Sequence, residues 1–81
     1  MLRELAAKNK VIGVKQSRRA IRDGHAVRVF LARDADPALL APVEELCRQQ
    51  ALPVSCEFSM EELGRAAGIQ VGAAVIALLN T

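Results

Sequence analysis

Short strand-type apolar runs alternate with helix-type segments along the 81-residue chain, and this alternation is the feature that most constrains its fold. Four runs have the apolar or β-branched character of strands, and they span residues 11–14, 27–32, 54–58 and 73–79. Each follows a segment with helical spacing or helix-end signals, at 2–9, 17–23, 36–50 and 59–67. Alternating elements place helices on both faces of a sheet. The sequence therefore predicts one α/β domain, residues 1–81, folded as a three-layer α/β/α sandwich around about four strands.

Residues that start and stop helices bound two of these helical segments. Asp36–Pro37 is typical of a helix start, with aspartate as N-cap and proline in the first turn. Pro42 lacks the N–H that a helix interior requires, so we expect a first turn at 37–40 and a main helix that begins near Pro42. The serine and glutamate that bound residues 59–62 have the spacing of a capping box, and Gly68 ends that helix.

The chain lacks the residue clusters that enzymes and metal sites need. His25 is the single histidine and follows a turn glycine, a position more typical of an inert surface residue than of a catalytic base. Cys47 and Cys56 are too few and too far apart for a zinc site, so we expect both to be small buried hydrophobes. Asp34 and Asp36 are interpreted as turn and N-cap residues, not as metal ligands. We predict no cofactor, no metal and no enzymatic activity.

No segment is apolar enough to cross a membrane. The longest uncharged run, residues 66–81, is shorter than a span and contains Gln70 and two glycines. The first residues lack the apolar core of a secretory signal. We therefore expect a cytoplasmic protein without a membrane partner.

The formal net charge of +2 conceals a strong asymmetry. Residues 1–33 carry nine basic and two acidic side chains, a net charge of +7, whereas residues 34–81 carry two basic and seven acidic ones, a net charge of −5. Basic side chains concentrated in one part of a small domain predict a face that attracts a polyanion such as nucleic acid. Simple solvation of helix faces is the alternative explanation.

The junction between the first strand and the next helix, residues 13–19, combines a glycine with polar and basic residues. Free N–H groups at a helix start attract phosphate. Lys15 can donate to guanine O6 and N7, and Gln16 carries a donor and an acceptor for base edges. By itself the segment could also be a solvated helix start. The arginines that add charge over the next turns are Arg18, Arg19 and Arg22.

A second unusual segment, residues 68–74, links the last predicted helix to the last strand. Ile69 and Val71 are apolar, although surface loops are normally polar. They either tuck into the core or face an unpaired nucleotide, as apolar residues do in RNA readers. The two aromatic residues, Phe30 and Phe58, both fall in predicted strands, so a stacking platform for generic single strands is absent. The kind of RNA recognition that remains is recognition of a folded RNA shape.

Together, five segments make the chain resemble the L7Ae/L30e family of kink-turn RNA-binding ribosomal proteins, especially its short bacterial ribosome-associated members. The first is Gly13-Val14-Lys15-Gln16-Ser17-Arg18-Arg19. The others, in matching order and spacing, are residues 31–37, 45–47, 59–64 and 68–74.

This resemblance implies a mixed four-stranded sheet and a specific RNA site. Gly13 would allow close backbone approach to the major groove of the kink-turn, where tandem sheared G·A pairs lie. Lys15 and Gln16 would face the guanines, and Arg19 the phosphates. The loop that covers the flipped-out nucleotide would comprise Ile69, Gln70 and Val71.

The resemblance also implies partners, with two departures. Many archaeal and eukaryotic members carry Asn-Glu where this chain has Lys15-Gln16, a version shared with the bacterial members, so archaeal partners should not be carried over. The sequence also stops at the fourth predicted strand, so we do not expect partners that use the final helix of longer members. We expect a monomer that binds kink-turn RNA, either ribosomal RNA or a riboswitch, with the ribosome as partner. The alternatives are the RNA substrate-binding domain of a ribose methyltransferase and a small protein-interaction module that uses the acidic half.

Overall fold

The structure of the protein is a computed structural model, and it describes residues 9–80. The helix predicted over residues 2–9 lies outside the described residues except for Asn9. Strands and helices alternate along the described chain, as the sequence predicts. They are β1 (Lys10–Ile12), α1 (Val14–Arg22), β2 (Ala26–Leu31), α2 (Pro37–Gln49), β3 (Val54–Ser55), α3 (Met60–Ala66) and β4 (Val75–Leu79).

The four described strands form one mixed sheet in the order β1-β4-β2-β3. The last strand, β4, lies at the centre and pairs antiparallel with both β1 and β2, with Ile76 opposite Ile12 and Phe30. β3 pairs parallel with β2, with Val54 opposite Val29. The predicted three-layer α/β/α sandwich with a mixed four-stranded sheet is therefore confirmed.

The core lies between the central strands and the helices. Val29, Phe30 and Ile76 are fully buried in the sheet, while Leu63 of α3 and Val43 of α2 are buried from the helices. Helix α1 packs against both α2 and β4. Because the central strands supply half of the ten largest fully buried side chains, they fix the positions of the loops at their ends.

Three strand boundaries differ from those predicted by two residues or more. Val14 begins α1 and does not end β1, because Gly13 turns the backbone out of the strand at a φ of 112°. For the same reason α1 begins three residues before the predicted start at Ser17. β3 stops at Ser55, and β4 begins at Val75 instead of at residue 73. Ala73, outside the ladder, still has a backbone partner, since its N–H donates to the carbonyl of Met60 in α3 at 3.1 Å.

The predicted break in α2 at Pro42 is wrong, since the helix runs unbroken through the proline. Pro42 removes one hydrogen bond, which would have joined its nitrogen to the carbonyl of Ala38. Both residues are exposed, so water can satisfy that carbonyl oxygen. The predicted N-cap is confirmed, because Asp36 Oδ1 accepts a hydrogen bond from the Ala38 N–H at 2.9 Å.

The predicted capping box at the start of α3 is also confirmed. The Glu62 N–H donates to Ser59 Oγ at 3.1 Å, and the Ser59 N–H donates to Glu62 Oε1 at 2.8 Å. Arg33 Nη1 donates to the same carboxylate at 3.1 Å. The backbone hydrogen bond from Ser59 and the bond from Arg33 hold the pKa of Glu62 below its ordinary value. The box therefore fixes where α3 begins, next to the segment that follows β2.

Candidate nucleic-acid interface

Helix α1 begins at a glycine in a conformation that other residues rarely adopt. Gly13 has φ 112° and ψ 155°, and no side chain caps the helix. Its N–H donates to the carbonyl of Val75 at 2.9 Å, and its carbonyl accepts from the Ser17 N–H at 3.0 Å. A Cβ on Gly13 would meet no atom within 4 Å. The glycine is therefore required by its backbone angle, and the surface in front of it is open for a ligand.

The polar residues predicted on α1 form one exposed surface, the basic stripe, made of Lys15, Arg18, Arg19 and Arg22. The stripe arises because these residues recur at three- and four-residue spacing. Together with Gln16, three of them line an open groove of about 330 Å³. Ser17, Ala20 and Ile21 are buried on the opposite side of α1 and anchor it to the core.

The charge of the basic stripe is not neutralised within the part of the chain that the structure describes. Over residues 9–80, no carboxylate forms an ion pair with any of its four cations. The free N–H groups of the first turn add positive potential at the same end of the helix. The stripe therefore presents unpaired positive charge, whereas the carboxylates of the described ion pairs, on Glu45, Glu61 and Glu62, all lie in residues 34–81.

Residues 68–74, named the apolar loop, fold back along α3. The Ile69 N–H donates to the Gly64 carbonyl at 3.0 Å, and the Ala73 N–H donates to the Met60 carbonyl at 3.1 Å. Between these two bonds, the carbonyl oxygen of Val71 lies against Gly64, 2.1 Å from where a Cβ would stand. The loop is thus held at both ends and in the middle.

The side chains of the apolar loop have different environments. Val71 is 71% exposed and does not belong to the core. Gln70 is exposed, while Ile69 is half-buried and packs against the core. The alternative that both side chains tuck into the core is therefore wrong for Val71, whereas Ile69 packs partly against the core.

A cavity of about 410 Å³ lies beside the apolar loop. Its wall includes residues that the sequence analysis did not select, notably Met60 and Arg65 of α3. Asp34, interpreted as a turn residue, also lines it, and its Oδ1 accepts a hydrogen bond from the Met60 N–H at 2.8 Å. No local pattern marks these residues, because only the return of the loop along α3 places them together. The cavity is lined by both apolar and polar groups.

The sheet brings the two predicted segments to one end of the molecule. The Gly13 N–H bonds to Val75, which directly follows the apolar loop. The Ala32 N–H, after β2, bonds to the carbonyl of Ala74 at 2.9 Å. The end of β1, the end of β2 and the start of β4 therefore meet, with the start of α1 and the apolar loop attached to them.

The remaining predicted residues lie outside this surface. Cys47 is buried as predicted, and burial raises the pKa of its thiol. Cys56 is exposed, so its predicted burial is wrong; β3 ends at Ser55, and the inward alternation stops there. Within residues 9–80, no group of three or more histidine, cysteine or acidic side chains could hold a metal ion. No described helix is both long and apolar enough to span a bilayer.

Comparisons with known proteins agree with this architecture. The family model of the ribosomal protein L7Ae/L30e/S12e/Gadd45 family matches residues 2–81. An RNA-binding protein of Geobacillus sp. (strain WCH70) and RNA-binding protein YbxF of Geobacillus stearothermophilus are each 43% identical to this chain over 76 residues, which cover 94% of this chain and 93% of theirs. A solved protein of unknown function from Bacillus halodurans C superimposes with a TM-score of 0.88 at 25% identity, covering 99% of this chain and 84% of that one. As its motifs predicted, the chain belongs to the ribosomal protein L7Ae/L30e/S12e/Gadd45 family.

Proposed function

We propose that this protein binds RNA, and specifically a kink-turn, through the start of α1 and the apolar loop. Relatives of nearly the same length are named RNA-binding proteins, and the matched family is described as ribosomal. None of these descriptions names an enzymatic reaction. The proposed target is a folded duplex with tandem sheared G·A pairs and one flipped-out nucleotide, bound by a protein monomer.

The observation that carries the proposal is the exposure of Lys15 and Gln16 in the first turn of α1, beside the open backbone of Gly13. The first turn lies at the tip of the helix, where side chains reach base edges in a groove. A lysine ammonium donates to guanine O6 and N7, and a glutamine amide offers a donor and an acceptor. Arg19 and Arg22 line the groove on the protein surface next to this helix tip, and Arg18 flanks that groove. We assign phosphates as the partners of these three arginines.

The apolar loop supports the second half of the proposal. Val71 and Gln70 are exposed beside a cavity of about 410 Å³, on a loop whose backbone is bonded to α3 at both ends. A flipped-out base could place its ring against Val71 and present its polar edge to Gln70. Ile69 would support this contact from its half-buried position. Because the loop is already ordered by α3, little conformational entropy would be lost on binding.

The central test is a gel shift that compares a kink-turn with the same stem after its G·A pairs become Watson–Crick pairs. We expect at least about tenfold tighter binding of the kink-turn, the scale of one good base-edge contact. Both RNAs carry the same phosphate charge, so the electrostatic attraction of the basic stripe is matched between them. Equal affinity for the two would contradict recognition of the kink-turn, and absence of binding to either would contradict RNA binding altogether.

A polar substitution in the apolar loop, Val71→Asn, should separate binding from folding. Because Val71 is 71% exposed, we expect the free energy of unfolding to change by no more than about 0.5 kcal/mol. Affinity for the kink-turn should fall, since the base would lose apolar contact worth roughly 25 cal/mol per Å². Thermal unfolding of the free protein and RNA titration are measured on the same preparations. A large fall in melting temperature with unchanged affinity would refute the loop's role.

The natural target is proposed to be ribosomal RNA on the ribosome, with a riboswitch as the other candidate kink-turn. Sequencing RNA cross-linked to the protein in cells would distinguish them. Ribosomal RNA reads that centre on a kink-turn would support the ribosomal target, and reads confined to messenger leader regions would support the riboswitch.

A further inference from the structure

The acidic half of the chain contains an open groove that the proposed RNA site does not use. This α2 groove has a volume of about 290 Å³ and lies between the first turns of α2 and the segments that follow β2 and β3. Most of its wall is apolar. Its wall includes Ala35, Pro37, Leu40, Glu44 and Cys56.

Helix α2 opens with an unusual uncharged surface. Residues 37–42 contain no polar side chain, and all of them except Leu40 are exposed. Leu39 is 50% exposed, although leucine is usually buried. Apolar surface that is contiguous and rimmed by charge is typical of protein interaction sites. The start of α2 therefore provides more apolar surface than a solvated helix requires.

The unpaired charge in the wall of the α2 groove is negative. The Glu44 carboxylate has no ion-pair partner among residues 9–80. The Glu44 charge acts inside the groove. Partial burial has the larger effect on the pKa of the Cys56 thiol, and the Glu44 charge raises that pKa further. Arg33 also lines the groove, but its Nη1 is held by Glu62 Oε1 at 3.1 Å and by the Glu57 carbonyl at 2.6 Å. Phosphate is therefore disfavoured in this groove, and a cation is favoured.

We propose that the α2 groove binds a segment of a partner protein in which an apolar side chain lies next to lysine or arginine. The apolar side chain would lie against Pro37 and Leu40, and the cation would pair with Glu44. A second copy of this chain fits less well, because its exposed cations are concentrated in the basic stripe of α1. The α2 groove shares no residue with that stripe or with the apolar loop.

The test is an NMR titration of the ¹⁵N-labelled full chain with acetyl-Lys-Leu-Lys-Leu-Lys-amide. Two matched peptides replace its leucines by serines or its lysines by glutamates. We expect shifts at Ala35, Leu40 and Cys56 with the Lys-Leu peptide and at least tenfold weaker binding of the others. Glu44→Lys should weaken binding at least tenfold. Glu45→Lys makes the same change on the same helix, at an exposed residue that pairs with Arg48. This control should change the affinity for the Lys-Leu peptide by less than twofold.

Each other outcome overturns the proposal. Equal binding of the serine peptide would mean that charge alone is recognised, and equal loss with Glu44→Lys and Glu45→Lys would mean that the groove is not the site. Concentration-dependent shifts at the groove without peptide, with dimers in sedimentation, would identify a second copy as the occupant. Shifts at the groove on addition of kink-turn RNA would assign it to RNA.

Discussion

Replacing Gly64 by valine is expected to lower the free energy of unfolding by about 3 kcal/mol, the upper end of the usual range for overpacking. The first added atom would stand 2.1 Å from the Val71 carbonyl oxygen. That oxygen cannot retreat freely, because hydrogen bonds at Ile69 and Ala73 hold the loop on both sides. Valine is a slightly better helix former than glycine, by a few tenths of a kcal/mol, which does not offset the clash.

Urea unfolding would measure this loss, and Arg65→Ala is the matched control on the same helix. Arg65 is exposed and pairs with Glu61 at 2.9 Å, so its removal should change stability by no more than about 0.5 kcal/mol. The fraction of Gly64→Val that remains folded should also bind the kink-turn more weakly, since the apolar loop must move. A variant as stable as the parent chain would mean that the contact between α3 and the loop is not tight.

Lys15→Ala and Gln16→Ala are each expected to weaken kink-turn binding by about 1–3 kcal/mol, roughly 5- to 150-fold. Both side chains are exposed, so folding should be unaffected. The loss should be largest for the kink-turn and small for the Watson–Crick stem. The reason is that a base-edge contact exists only where the G·A edges are presented.

Arg19→Ala serves as the contrasting variant on the same face of α1. A phosphate contact releases counterions from any RNA, so this change should weaken both RNAs similarly and reduce the salt slope by about 1. Titrations at several salt concentrations measure both quantities. If Arg19→Ala weakened only the kink-turn, or Lys15→Ala weakened both RNAs equally, the assigned roles would be wrong.

Features set by neighbouring residues could be predicted from the sequence, whereas those set by distant contacts could not. The Asp36 cap and the Ser59–Glu62 box were correct, because each depends on bonds within three residues. The end of β3 and the start of β4 were wrong, because apolar residues beside a strand look like strand whether or not a partner strand reaches them. Pro42 was misjudged because burial, which the local sequence does not reveal, decides whether water can replace its lost bond.

The same distinction applies to the candidate site. Lys15, Gln16 and the arginines could be selected from the sequence, because a helix start and its charges are adjacent in the chain. Gly64 had no signal, since a glycine inside a helix ordinarily only weakens it. Its importance arises when the chain returns along α3 and places the Val71 carbonyl against it.

The brevity of the two outer strands has a consequence for how the protein behaves when concentrated. β1 spans three residues and β3 two, and they form the two edges of the sheet. Pro53, just before β3, has no N–H, and its carbonyl already accepts a bond from Val29 at 3.0 Å. A strand from another molecule would find few free backbone groups on either edge. Despite a chain that is 52% hydrophobic, the shortness of the described edge strands therefore disfavours edge-to-edge pairing between molecules.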